Sequence, residues 1–293
     1  TLGYSELHNN DMPDQGIPFS NASRPGRVTP PDVNRNNFYG RLNADFRENT
    51  MKTATATFEH DFSSSLKLRN VTRHVDTLNH YLMTRPSFDH CTPSTNPPNV
   101  PVASCYTEDA SVQFTRGNRT WWRASKSLIN QTDLHGSFET GGIKHSYSAG
   151  LEFGAEKIYT KNMTVTGAGT ELDSLYNPNP HQNYNVGITY GPRANTGEIK
   201  TRSLYFFDTM ELNKQFSINA GARRDTFKVA NATTSREDSF WNYQLGLVYK
   251  PAENGSVYLS FGTSSNPAGE NLGQGGGADG VAGGAQIRDM KPE

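Results

Sequence analysis

Polar and apolar side chains alternate along several segments of this chain. One face of the segment 241–249 carries Trp241, Tyr243, Leu245, Leu247 and Tyr249. The other face is polar or small, with Val248 as the exception. Period-2 alternation is typical of a β-strand whose two faces meet different surroundings.

The same pattern recurs along the chain and predicts about nine strands. Their ranges are 1–8, 50–62, 66–84, 119–138, 144–165, 200–211, 216–230, 239–250 and 256–264. Several are two to three times longer than the usual strand of about 5–6 residues. Long strands suit a wall that crosses a membrane and projects beyond it, and they fit a compact soluble sandwich poorly.

The connections between these segments are alternately very short and very long. Tight turns are predicted at 63–65, 140–143, 212–215 and 251–255, and long irregular loops at 9–48, 86–118 and 166–197. A bacterial outer-membrane barrel has this asymmetry, because its periplasmic turns are short and its extracellular loops are long. The pattern predicts an all-β fold, the wall of an antiparallel transmembrane β-barrel.

The spacing of the aromatic residues in segment 241–249 fits such a wall. Trp241 and Tyr249 flank an aliphatic centre and lie about 26 Å apart along a strand. Strand tilt reduces this to about 20 Å of depth, close to the apolar band of about 25 Å between aromatic girdles. We therefore predict that the five apolar residues of this face contact lipid, with burial in a soluble β-core as the alternative.

Composition excludes several other classes. Of 293 residues only 33% are hydrophobic and the mean hydropathy is −0.72. No apolar run reaches the roughly 18 residues of a transmembrane helix, whereas alternating strands hide their apolar face in such an average. The net charge of −1 gives no support for a nucleic-acid partner, and the sequence does not show the basic patch or stripe expected of a nucleic-acid binder.

Two cysteines, Cys91 and Cys105, lie in one loop rich in Pro, Asn and Ser. We predict a disulfide between them, which would stabilise the fold by about 3 kcal/mol in the chain-entropy model and fits an oxidising compartment. Two unpaired thiols are the alternative.

The motifs of common enzymes and metal sites are missing from the sequence. The histidines form no His-Glu-x-x-His pattern, no Cys/His spacing suggests zinc, and no Gly-x-Ser-x-Gly elbow occurs. We therefore predict no catalytic residues, no directly bound metal and no enzymatic activity.

Seven stretches, in order along the chain, resemble one family. They are Asn-Asp-Met-Pro-Asp-Gln-Gly-Ile-Pro at 10–18, Asn-Phe-Tyr-Gly at 37–40, Phe-Glu-His-Asp at 58–61, Leu-Arg-Asn-Val-Thr-Arg at 68–73, Leu-Ile-Asn-Gln-Thr-Asp-Leu at 128–134, Leu-Tyr-Phe-Phe-Asp-Thr at 204–209 and Asn-Ala-Gly-Ala-Arg at 219–223. Together they resemble TonB-dependent outer-membrane receptors for ferric siderophores, in the catecholate (Fiu-like) branch.

This resemblance implies a barrel of roughly 22 strands with a plugged lumen. Residues 1–293 would be one partial barrel domain, truncated at both ends, with the plug absent. The resemblance also implies a protein of the bacterial outer membrane that contacts lipid and imports ferric siderophore. Energy would come from the TonB complex through the missing plug, and iron would arrive only as its siderophore complex, without another cofactor.

Under this interpretation, aromatic residues and arginines in and beside the long loops are candidate ligand contacts. They are Phe38, Tyr39, Tyr81, Arg85, Phe114, Arg119, Trp121, Trp122, Tyr176 and Arg193. Aromatic rings can stack on catechol rings, and guanidinium groups can offset the negative charge of a ferric chelate. Girdle anchoring and loop packing are the alternative roles for these residues.

Three other functions stay open from the sequence. A passive porin shares the wall but has no plug. A secreted all-β binding or structural protein would bury its apolar strand faces between two sheets. An outer-membrane enzyme is the most distant alternative.

Overall fold

A computed structural model describes residues 1–20, 32–88 and 113–267. In these ranges the chain is built from strands: β1 (Leu2–Asp11), β2 (Phe19–Ser20), β3 (Phe46–Ser63), β4 (Leu66–Phe88), β5 (Gln113–Thr140), β6 (Ile143–Thr160), β7 (Met163–Thr166), β8 (Leu172–Ser174), β9 (Gly187–Tyr190), β10 (Ala194–Glu211), β11 (Phe216–Ala230), β12 (Ser235–Ala252) and β13 (Gly255–Gly262). No helix among these residues has the length and apolar character to cross a membrane.

The long strands form one antiparallel meander. Their order in the sheet is β1-β3-β4-β5-β6-β10-β11-β12-β13, and within the described residues β2 joins β4 in parallel and β8 joins β5. Each of the nine predicted strands has its counterpart in this order, so the all-β antiparallel prediction is confirmed.

Several bounds of the predicted strands were wrong. Strands β3, β10 and β12 begin at Phe46, Ala194 and Ser235 rather than at 50, 200 and 239. The segment 144–165 is not one strand, because β6 ends at Thr160 and β7 pairs with β9 in a separate two-stranded sheet. Strand β5 begins at Gln113 rather than 119, since its early residues pair with β8 and with the end of β4. The long connection 166–197 therefore contains strand pairing that its irregular sequence did not reveal.

The short turns have the chemistry that tight hairpins require. Gly141 and Gly142 form the two-residue loop between β5 and β6, with φ values of 57° and 80°. Two successive residues with positive φ are typical of a type I′ turn, which matches the twist of the flanking strands. Between β10 and β11, the Asn213 side chain accepts hydrogen bonds from the backbone N–H groups of Gln215 and Phe216 at 2.8 and 2.9 Å.

Residues paired in register lie on the same face of the sheet. By this assignment one face is apolar and the other is polar. The apolar face carries exposed side chains that include Phe58, Leu128, Leu151, Phe153, Leu204, Phe206, Leu245 and Leu259. The polar face carries Arg69, Arg73, Gln131, Asp133, Glu152, Ser203, Tyr205, Arg223, Asp225 and Asp238.

The five residues predicted to contact lipid all lie on the apolar face. Their exposed fractions are 48% for Trp241, 53% for Tyr243, 56% for Leu245, 42% for Leu247 and 37% for Tyr249. A two-sheet sandwich would cover these side chains. No second sheet covers them in the described part of the chain, so the geometry is that of one curved wall rather than a soluble sandwich.

Polar side chains also occur within the apolar face, and they bond to one another. Asn70 and Asn130 exchange amide hydrogen bonds at 3.2 Å in both directions. Each amide nitrogen also donates to a threonine on the neighbouring strand at 2.7 Å, Asn70 to Thr132 and Asn130 to Thr72. This mutual bonding reduces the cost of placing amides among apolar groups.

The packed core lies beside the start of β5, at the end of the sheet that carries the long loops. Tyr39, Phe114 and Leu175 are its fully buried members, and Ile17, Val33 and Tyr176 pack against them. It forms where loop residues cover the continuation of the apolar face of β4 and β5. The loops are therefore held against the outside of this part of the wall.

Candidate functional site

Strands β4 and β5 extend beyond the rest of the sheet and carry several predicted ligand residues on their polar face. Tyr81 pairs in register with Trp121, and Met83 pairs with Arg119. The aromatic and arginine side chains of β4 and β5 on the polar face at this end are Tyr81, Arg85, Arg119, Trp121 and Arg123, which we call the Trp121 surface. Four of its five members were predicted from the sequence. The structure adds Arg123, which the spacing 119, 121, 123 on one strand could have indicated.

Other candidates lie on the opposite face, inside the core. The exposed fractions of Tyr39 and Phe114 are 1% and 0%, and their rings meet edge to face with centroids 5.0 Å apart. The Tyr39 hydroxyl donates to the Leu175 carbonyl at 2.8 Å. These two side chains contact protein on all sides, so we do not carry forward the prediction that they contact ligand. The packing alternative accounts for both.

Two further candidates belong to the same loop region. Tyr176 packs against the core, and its carbonyl accepts a hydrogen bond from the Asn37 amide at 3.2 Å. The ring of Phe38 lies over Gly40, where a Cβ atom would come within 2.4 Å of the ring. A glycine is therefore needed at position 40 for this close approach.

Arg193 and Trp122 lie together on the outer side of the wall, away from the Trp121 surface. The Arg193 guanidinium carbon lies 3.9 Å from the Tyr159 ring centroid and 5.9 Å from that of Trp122. The Lys161 ammonium lies 4.7 Å from the Trp122 centroid. These cation–π contacts hold the loops around 161 and 193 against β5 and β6.

A buried arginine, Arg41, joins three parts of the chain beside the core. Its side chain is completely buried. The Nη1 atom donates to Thr84 Oγ1 at 3.2 Å and Asn118 Oδ1 at 2.9 Å. The Nη2 atom donates to the Arg116 carbonyl at 2.6 Å and to Glu171 Oε2 at 3.0 Å. Arg41 thus connects its own loop to β4, β5 and the loop before β8.

Arg116 is a second buried arginine of the same kind, and Arg41 donates to its carbonyl. It is also fully buried, and its Nη1 atom lies 2.6 Å from both Asp173 Oδ2 and the Tyr184 hydroxyl. Its Nε atom donates to the Tyr39 carbonyl at 3.2 Å. We call Arg41, Asp45, Arg116, Glu171 and Asp173 the arginine cluster. Buried charges of this kind are stable only when they are paired and hydrogen-bonded.

Burial and pairing set the ionisation of three groups in and beside the arginine cluster. Burial alone would raise the pKa of Glu171, but the N–H groups of Gly169 and Glu171 and the Arg41 guanidinium outweigh it and lower this pKa below its ordinary value. Burial raises the pKa of Tyr39 and of Tyr184. Glu171 is therefore held as a carboxylate while both phenols stay protonated at neutral pH.

Sequence reasoning missed the arginine cluster, because charges in a loop follow no period and exposed loop charges are the usual case. The nearest signal was the Asn-Phe-Tyr-Gly stretch at 37–40, which Arg41 follows directly.

Farther along the sheet, the polar face carries a hydrogen-bonded network. The Tyr205 hydroxyl donates to Asp133 and accepts from the Gln131 amide. Arg223 bonds to Asp225 Oδ1 at 2.8 Å and lies 3.4 Å from Glu152. A continuous polar network of this kind suits a wall that faces water or another polar surface.

The structure describes neither cysteine, so the predicted Cys91–Cys105 disulfide lies outside the described residues. Among the described residues, no group of three or more His, Cys, Asp or Glu side chains is placed to hold a metal ion.

The sequence is similar to one protein family and to several of its members. The sequence profile of the family described as "TonB dependent receptor-like, beta-barrel" matches residues 1–293. The chain is 28% identical to the probable TonB-dependent receptor BfrD of Bordetella pertussis, over 92% of the chain and 38% of that protein. It is 28% identical to the catecholate siderophore receptor Fiu of Escherichia coli K12, over 92% of the chain and 39% of that protein. The chain thus spans well under half of these relatives' length.

A solved structure shares the fold over nearly the whole chain. The closed form of the ferric-catecholate import receptor Fiu of E. coli K12 matches with a TM-score of 0.78 and 27% identity, covering 99% of this chain and 44% of that one. The antiparallel sheet described above therefore corresponds to part of the β-barrel of such a receptor.

Proposed function

Because the chain belongs to the TonB-dependent receptor β-barrel family, we propose that it forms part of the wall of an outer-membrane receptor that imports ferric catecholate siderophores. The observation that carries this proposal is the Trp121 surface, an aromatic and arginine group on the polar face beside the long loops. The catecholate receptor Fiu is among the relatives, which supports this class of siderophore.

In this orientation the apolar face meets lipid and the polar face lines the lumen. The exposed apolar residues, including the five from Trp241 to Tyr249, contact the bilayer. The Arg223 and Tyr205 network faces the interior, where the rest of the receptor would lie.

The Trp121 surface has the chemistry to hold a ferric catecholate complex. Such a complex is an anion with aromatic rings on its outside. The rings of Tyr81 and Trp121 offer stacking surfaces, and the guanidinium groups of Arg85, Arg119 and Arg123 offset its charge. Capture involves no covalent step, so the protein acts as a transporter rather than an enzyme. The iron is cargo, already ligated by the siderophore.

Two adjacent tryptophans provide a matched test of this site. Trp121 belongs to the Trp121 surface, whereas Trp122 lies on the outer side of the same strand, under Lys161. In the receptor containing this segment, Trp121→Leu should weaken binding of ferric 2,3-dihydroxybenzoate about tenfold, because one stacking partner is lost. Trp122→Leu should change the affinity less than twofold. Titration of the purified receptor followed by intrinsic fluorescence measures both.

The opposite order of sensitivity would contradict the assignment of the site, and no binding by the unaltered receptor would contradict the substrate class. Transport is tested separately, by uptake of radioactive iron from the same complex into cells. The proposal predicts uptake that stops when the TonB complex is deleted or the proton-motive force is collapsed. Uptake that continues at the same rate would support a passive porin instead.

A further inference from the structure

Four cationic side chains are grouped on the apolar face of β10 and β11. They are Lys200, Arg202, Arg224 and Lys228, all exposed. Lys200 pairs in register with Lys228, and Arg224 pairs with Leu204, two residues from Arg202 on the same face. Side chains opposite one another in such pairs lie about 5 Å apart at Cβ. We call this group the outer basic patch.

The outer basic patch differs from other cations on this face in its lack of partners. Elsewhere on the face, lysines pair with carboxylates on neighbouring strands: Lys52 with Glu6 at 3.1 Å, Lys126 with Asp76 at 3.1 Å and Lys157 with Glu198 at 3.5 Å. The four residues of the patch form no ion pair with any described residue. Glu237 is in register with Lys228 on the same face and makes no ion pair with it. Four cations beside this one carboxylate leave the patch with a net positive charge.

The aromatic residues of β11 and β12 fix the height of the patch in the wall. Phe216 and Tyr249 stack at the turn end of these strands, with centroids 4.7 Å apart. Trp241 pairs in register with Arg224 at the other end of the apolar segment. Eight residues separate Phe216 from Arg224, which corresponds to about 26 Å along the strand and about 20 Å of depth. The patch therefore lies at the upper aromatic girdle, where headgroups begin.

We infer that the outer basic patch binds the phosphate group of an anionic lipid in the outer leaflet. Clustered like charges destabilise a surface unless an anion neutralises them, and phosphate is an oxyanion that lysine and arginine bind well. Leu204, which is level with Arg224, and Phe206, the next residue of β10 on the same face toward the turn, would contact the acyl chains of the same lipid. This inference rests on the membrane orientation in the proposed function but is independent of siderophore import.

Native mass spectrometry of the complete detergent-solubilised receptor tests the inference. The probe is diphosphoryl lipid A, compared with its fully dephosphorylated form, with phosphatidylcholine and with inorganic phosphate. The triple variant Lys200→Gln/Arg202→Gln/Arg224→Gln should bind diphosphoryl lipid A at least about tenfold more weakly than the unaltered receptor. The charge-conserving variant Lys200→Arg/Arg202→Lys/Arg224→Lys should stay within about threefold.

Lys126→Gln/Lys157→Gln is the matched control, because these lysines lie on the same face but have carboxylate partners. It should bind lipid as the unaltered receptor does. Equal binding by the triple variant, equal binding of the dephosphorylated lipid, or inorganic phosphate bound as tightly as the lipid would each overturn the inference. Ferric catecholate binding in all variants reports a folded receptor and is expected to be unchanged. If the unaltered receptor did not bind ferric catecholate, that result would count against the proposed function and not against the lipid site.

Discussion

Replacing Arg41 with methionine should release the loops that cover the wall at its long-loop end. Methionine fills a similar volume but donates none of the four side-chain hydrogen bonds to Thr84, Asn118, Arg116 and Glu171. At about 1.5–3 kcal/mol for each charged bond, simple addition gives about 6–12 kcal/mol. The real cost is smaller, because burying the guanidinium is itself expensive. Removing one partner from a buried ion pair typically costs about 3–5 kcal/mol.

This loss should be local, because the hydrogen bonds of the nine-stranded meander do not pass through Arg41. Hydrogen exchange of peptides from 37–45 and 168–184 in the folded receptor should accelerate about 100-fold or more, since each 1.4 kcal/mol of opening free energy is a factor of ten. Exchange in β10–β12 should be unchanged. Mass spectrometry after timed deuterium labelling measures both regions in one experiment.

Two further variants separate the ion pair from general packing. Arg47→Gln removes a side chain that is paired with Asp11 at 3.1 Å but well exposed, and should cost less than about 1 kcal/mol. Adding Glu171→Gln to Arg41→Met should restore part of the protection, because the glutamate no longer lacks its cation. Unchanged exchange in Arg41→Met, or equal effects of Arg41→Met and Arg47→Gln, would refute the view that buried pairing holds these loops.

Three other predictions concern the two faces of the sheet, the packing at Gly150 and the ionisation of Glu171. Leu245→Arg should destabilise the barrel by about 2–4 kcal/mol in urea titrations in lipid, whereas Gln244→Arg should be tolerated, and equal costs would contradict the facing of β12. Gly150→Val should cost about 1–3 kcal/mol in the same assay, because a Cβ there lies 2.3 Å from the Tyr205 ring; no loss would show that the ring moves freely. The pKa of Glu171 is lowered in the folded state, so its contribution to loop stability is present above its unfolded pKa and lost as pH falls through the folded value. Exchange at 168–184, corrected for intrinsic rates, should rise on acidification in the unaltered receptor but not in Glu171→Gln.

The wall was predictable because each strand carries its own alternation of polar and apolar residues. Alternation along 241–249 follows from two different environments on the two faces, and the short turns carry residues such as Gly141 and Gly142 that tight hairpins need. The loop end was not predictable in the same way. The burial of Tyr39 and Phe114 depends on residues more than seventy positions apart, and no period signals such contacts.

Some candidate ligand residues lie on the polar face and others do not, and strand register decides which. Tyr81 and Trp121 share a face because β4 and β5 stay paired in register beyond the end of β6, which an irregular loop would not ensure. The sequence identified the residue types that suit a catecholate but could not separate Trp121 from Trp122, since the register of β5 in that region was unknown. One position of register decides which ring faces the lumen.

Site-directed spin labelling along β12 tests the two-faced wall most directly. Single cysteines at 241 through 249 would carry nitroxides in the receptor reconstituted in lipid, and collision rates with oxygen and with a water-soluble nickel complex would be recorded. Odd positions should favour oxygen and even positions nickel, with a period of two residues across the segment. Equal accessibility at odd and even positions, or the reverse phase, would contradict a wall that places Leu245 in lipid and Gln244 toward the lumen.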